Sequence, residues 1–86
     1  MPPVIEQIIK DFEEWAALQK SDVWYIEFLK NCIISDVRRN VEQATDLRDK
    51  IYFLKSSTDH FAEEFEVKIP EEISKRIFIL KSLNSF

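Results

Sequence analysis

The sequence predicts an all-α fold: a helical hairpin or bundle of three to four helices around one long central amphipathic helix of coiled-coil type, forming a single domain over residues 1–86. Composition is the first observation behind this. The chain has no glycine, its only prolines are Pro2, Pro3 and Pro70, and its net charge is -4. Tight turns and strand hairpins call on glycine for positive φ, so a chain without it is expected to turn seldom and run in helices. Periodicity is the second. Ile26, Leu29, Ile33, Val37, Val41, Ala44, Leu47, Ile51, Leu54, Thr58, Phe61 and Phe65 recur every three or four positions, a mean step of about 3.5 to 3.6 residues, where a strand would repeat every two. Size is the third. A chain of 86 residues buries only about two thirds of its unfolded surface and so holds one small core.

The first helix is expected over 3–19. Pro2 and Pro3 suit a helix start, where the missing N–H had no intrahelical partner to lose. Val4, Ile5, Ile8, Ile9, Phe12, Trp15, Ala16 and Gln19 form one stripe, with Glu6, Lys10, Asp11, Glu13 and Glu14 opposite. Lys20 in the last turn and the pair Ser21-Asp22, a good acceptor of free helix N–H groups, mark the change to the next helix.

The central helix is expected over 22–55 and reaches 66 if it passes Ser56. From Val23 to Ile34 only Glu27, Lys30 and Asn31 interrupt an otherwise apolar run, so that segment needs cover on most sides. Ser35-Asp36 repeats the cap pattern of Ser21-Asp22, yet the apolar phase from Ile33 to Val37 is unbroken, which favours continuity there. Farther on, Arg38, Arg39, Glu42, Asp46, Arg48, Asp49 and Lys50 form a solvated face, with Asp46 and Lys50 spaced as an i,i+4 ion pair. Ser56 to Asp59 is the weakest helical stretch, because these side chains compete for backbone hydrogen bonds. Val67 to Ile69 should be extended ahead of Pro70. The last helix, over 70–84, opens with a proline and two carboxylates at its positive end. Ile73, Ile77, Leu80 and Leu83 form its stripe, with Glu71 and Lys75, and Glu72 and Arg76, spaced to brace its outside.

Catalytic and metal chemistry find little support. His60 is the only histidine; with Asp59, Glu63 and Glu64 it makes at most half a metal site. Cys32 is a lone cysteine among Leu29, Ile33 and Ile34, expected to be a small buried hydrophobe and not a nucleophile. The carboxylate pairs Glu13-Glu14, Glu63-Glu64 and Glu71-Glu72 are sequence neighbours that diverge by about 100° on a helix. Without glycine there is no glycine loop to cradle a phosphate. No enzyme activity, metal or cofactor is expected.

The expected function is contact. A pI near 5.0 does not suit direct binding of nucleic acid, and no apolar stretch reaches the length of a membrane span. A lone cysteine suits a reducing compartment, cytoplasmic or nuclear. Residues 1–19 carry four acids against Lys10, whereas residues 67–86 carry an excess of bases, so the two ends could pair within one molecule or between copies. The apolar supply exceeds one stripe per helix. Trp24, Tyr25, Phe28, Ile34, Phe78, Ile79 and Phe86 are the surplus, and they mark the expected interface with a protein partner, either a second copy or another helical chain in a homo- or hetero-oligomer. Two other classes fit the same features: an acidic inhibitor, antitoxin or immunity-type protein using the first helix, and a bundle holding an apolar ligand.

Overall fold

The first helix, α1 (Pro3–Ala17), has Pro2 as its N-cap residue and Pro3 in its first turn. A computed structural model describes residues 1–84; the expectation attached to Phe86 lies outside the described residues. Ile5, Ile8, Ile9, Phe12 and Ala16 are buried along one face of α1. The helix stops at Ala17 because the chain tightens: the Leu18 and Gln19 amides donate to the Trp15 and Ala16 carbonyls at 3.1 and 3.0 Å.

Two short helices follow, α2 (Trp24–Phe28) and α3 (Lys30–Gln43). Ser21 shapes the turn before them without capping α2 itself. Its amide donates to Glu27 Oε2 at 2.9 Å, and its hydroxyl accepts from the Val23 amide at 3.1 Å, leaving Val23 as the N-cap residue. Leu29 alone separates α2 from α3, and the hydrogen-bond ladder reaches it from both sides, Leu29 N to Tyr25 O and Ile33 N to Leu29 O. At Ser35-Asp36 the helix continues, as the unbroken phase requires.

The long central helix is not formed. α3 ends at Gln43, Ala44 turns to ψ 138°, and α4 (Leu47–Glu64) starts after Asp46. Asp46 is extended and its carboxylate accepts from the Asp49 amide at 2.8 Å, a helix N-cap. Lys50 does not pair with Asp46; its Nζ donates to the Val41 carbonyl at 3.1 Å and so satisfies the end of α3. The result is a helical hairpin in which α4 doubles back along α3, with Asn40 Nδ2 donating to Ser57 Oγ at 3.2 Å. Leu47, placed on the seam by its spacing, is the first residue of α4 and stands 38% exposed.

α4 runs through the serine-rich stretch. Thr58 is buried there, its hydroxyl donating to the Leu54 and Lys55 carbonyls at 2.8 and 3.0 Å. Termination falls on Glu66 at φ 52°, in the left-handed region. The Val67 amide reaches back to the Ala62 carbonyl at 3.0 Å and the Glu66 amide to Glu63 at 3.3 Å, the bond pattern of a Schellman motif. Residues 67–70 are non-helical and lead into α5 (Glu71–Leu83), with Pro70 as N-cap residue at φ -52° and ψ 136°. Ile73 and Ile77 are buried and Leu80 partly so, but Leu83 is exposed, so the α5 stripe is shorter than its spacing implies.

α1, α3 and α4 pack on one another, α5 closes against α1 and α4, and α2 packs chiefly on α3. The molecule measures 39 × 25 × 18 Å. Its centre is aromatic: Phe12 meets Phe61 edge to face with centroids 5.2 Å apart, Trp15 meets Phe61 at 5.8 Å, and Phe61 stacks on Phe65 at 4.4 Å. No helix among the described residues is long and apolar enough to cross a membrane.

Candidate interaction surface

α2 is five residues long and lies beside the main three-helix packing, where a single side chain, Ile26, anchors it in the core. The other large side chains of this turn have no room inside. Trp24 is 77% exposed and Phe28 80%; they sit four positions apart, on one face. Tyr25 is also exposed, its ring edge to face with Trp24 at a centroid distance of 6.0 Å. Leu18 and Val23, on the connector that the Ser21–Glu27 bond ties to α2, add exposed apolar surface, and so does Leu29. Cys32 follows Phe28 after another turn and is exposed, contrary to the buried position expected from its apolar neighbours. Ile33 and Ile34 turn to the other side of α3: Ile33 packs against the core, and Ile34, only 8% exposed, belongs to it with Ile26 and Val37. Ile34 is therefore withdrawn from the candidate interface.

Phe78 and Ile79 are exposed on the outside of α5, as their position off the Ile73–Ile77 stripe requires. They form a second surface apart from α2. Tyr52 and Phe53 on α4 form a third, which sequence reasoning passed over. Tyr52 lies in the same helical row as Arg48, Lys55 and Asp59, a face that reads as solvated. The signal available was a large aromatic one position beyond Ile51, about 100° away from the buried stripe. An open trough between α4 and α5, of about 420 Å³, includes Arg48, Tyr52, Lys55 and Lys81 in its lining.

Most acids of α1 are occupied within the fold. Arg38 on α3 contacts Glu13 with Nε and Nη2 at 3.0 and 2.9 Å, and Glu6 with Nη1 at 2.9 Å. All three side chains are less than one third exposed. The Arg38 hydrogen bond holds the Glu6 carboxyl below its usual range, and Glu13 and then Glu6 push the guanidinium higher still. Asp11 pairs with Arg76 of α5, whose hydrogen bond, helped by Gln7, lowers the Asp11 carboxyl likewise. The two ends of opposite sign thus meet within one molecule. Arg76 turns away from Glu72 to do so.

Beside the aromatic face, Lys30 lowers the Glu27 carboxyl through a 2.8 Å ion pair, with the Ser21 amide as the next contributor. His60 contacts Glu64 at 3.6 Å on an exposed face. Among the described residues no three His, Cys, Asp or Glu side chains converge on a point that could hold a metal ion. Compared with models of protein families, with curated proteins and with solved structures, the chain matches none.

Proposed function

We propose that this protein is a non-enzymatic interaction module, a small helical subunit that works inside the cell by presenting the α2 face to a protein partner. One observation carries the reading: the core closes on Ile26 and Ile34 while Trp24, Tyr25 and Phe28 on the same segment remain outside it. Aromatic side chains offer roughly 150–250 Å² apiece, and these three are about half to four fifths exposed, so this face matches the ~300–600 Å² of the largest apolar patch on a typical monomer. Patches of that size are often functional. Tryptophan, tyrosine and phenylalanine are also the residues enriched at interface centres.

The acidic-inhibitor reading loses ground, because Glu6, Asp11 and Glu13 already have cationic partners within the fold. Of the acids on α1, Glu14 alone has no ion pair among the described residues.

The test compares wild type with Trp24→Gln/Phe28→Gln for solubility limit and hydrodynamic size. The reading expects wild type to associate or precipitate at concentrations where the variant stays dispersed. Equal behaviour of the two, both monomeric and freely soluble, would defeat it.

A further inference from the structure

We propose that the partner covering the α2 face is a second copy of this chain, joined across a twofold axis near Phe28. This rests on the interaction-module reading and deepens it.

The first argument is area. Trp24, Tyr25, Phe28 and Leu18 together expose on the order of 500 to 600 Å². A twofold interface uses the same patch on both subunits, so closing it completely buries roughly 1,000 to 1,200 Å², the size at which a specific interface begins. The second is charge. Lys20 and Asp22 border the patch with opposite signs, and Glu27 is neutralised by Lys30. A copy therefore meets no excess of like charge. The α5 surface behaves differently: Arg76 is taken up by Asp11, but Phe78 and Ile79 stand between Lys75 and Lys81, and apposing two such faces sets cations against cations. The third is shape. Trp24 and Phe28 lie one turn apart on α2, and Cys32 is exposed in the first turn of α3 beyond the Leu29 junction, so apolar side chains on both sides of that junction are open to a second copy. With the axis near Phe28, Cys32 of one subunit approaches the Trp24 end of the other.

The experiment is sedimentation equilibrium from micromolar to near-millimolar concentration on wild type, Phe28→Glu and Phe78→Glu, together with the rate of iodoacetamide alkylation of wild-type Cys32. The proposal expects a monomer–dimer equilibrium in wild type, kept by Phe78→Glu and weakened at least about thirtyfold by Phe28→Glu. It also expects Cys32 alkylation to slow as the dimer fills. The alkylation arm requires no substitution, so it stands even if a variant misfolds. Assemblies larger than two, a dimer indifferent to Phe28→Glu, or an alkylation rate independent of concentration would overturn the proposal. A monomeric wild type whose solubility still rises on Phe28→Glu would overturn the second copy and leave the interaction-module reading standing. A monomeric wild type indistinguishable from Phe28→Glu would overturn both.

Discussion

Arg38 and Glu13 meet fork to fork, Nε on Oε2 at 3.0 Å and Nη2 on Oε1 at 2.9 Å, across 25 positions of sequence. This geometry fixes the α1–α3 crossing more specifically than apolar contact can, because a planar fork tolerates little rotation. Glu6, two turns before Glu13, receives the remaining nitrogen, so one guanidinium bridges about half the length of α1.

Arg38→Met should therefore cost about 1–2 kcal/mol at neutral pH, more than an exposed pair and less than a fully buried one. The same variant should alter the acid limb of stability. Glu6 titrates lower in the folded chain than in the unfolded one, so the unfolded chain binds more protons as pH falls. The stabilisation is complete above the ordinary carboxylate range and is lost as pH drops through about 4.5 and below. Wild type should lose more stability between about pH 5 and 3 than Arg38→Met does, as urea unfolding at each pH would show.

The break between α3 and α4 reassigns the seam, and a pair of substitutions checks it. Val41 is fully buried, whereas Leu47 is the first residue of α4. Val41→Asp should unfold the protein, since an unpaired buried charge costs several kcal/mol against a total of about 5 to 15. Leu47→Asp should cost under about 1 kcal/mol, because an acid at a helix N-terminus is favourable. Thermal unfolding of the two variants separates the hairpin from a continuous helix, which would make both severe.

Helix existence was legible in this sequence and helix continuity was not. Val41 and Ile51 lie ten positions apart, close to three helical turns, so an unbroken helix and a hairpin that buries both residues leave nearly the same apolar spacing. The distinguishing signal was local: Asp46 followed three residues later by Asp49, an acid-for-acid variant of a capping box. At the candidate surface, Trp24, Tyr25, Phe28, Phe78 and Ile79 stand outside as surplus apolar residues should. Ile34 and Cys32 exchanged places relative to expectation, because on a segment apolar nearly all round the periodicity does not say which side meets the core.

Glu66 adopts a positive φ in a chain without glycine. A side chain with a Cβ pays roughly 1 kcal/mol or more in that region, so Glu66→Gly should raise stability by about 0.5 to 1 kcal/mol once the added flexibility of the unfolded chain is subtracted. Glu66→Val should lower it, since a β-branched residue fits the left-handed region poorly. Chemical denaturation midpoints of the two variants should move in opposite directions.

The central claim is that Trp24 and Phe28 serve contact and not folding. Its most direct test is the unfolding free energy of Trp24→Gln/Phe28→Gln against wild type, measured in urea at sub-micromolar concentration, where any association is dissociated. The account predicts a loss below about 1 kcal/mol, as for surface positions. A loss of about 3 kcal/mol or more, the scale of truncating aromatic core residues, would place these side chains in the core and contradict it.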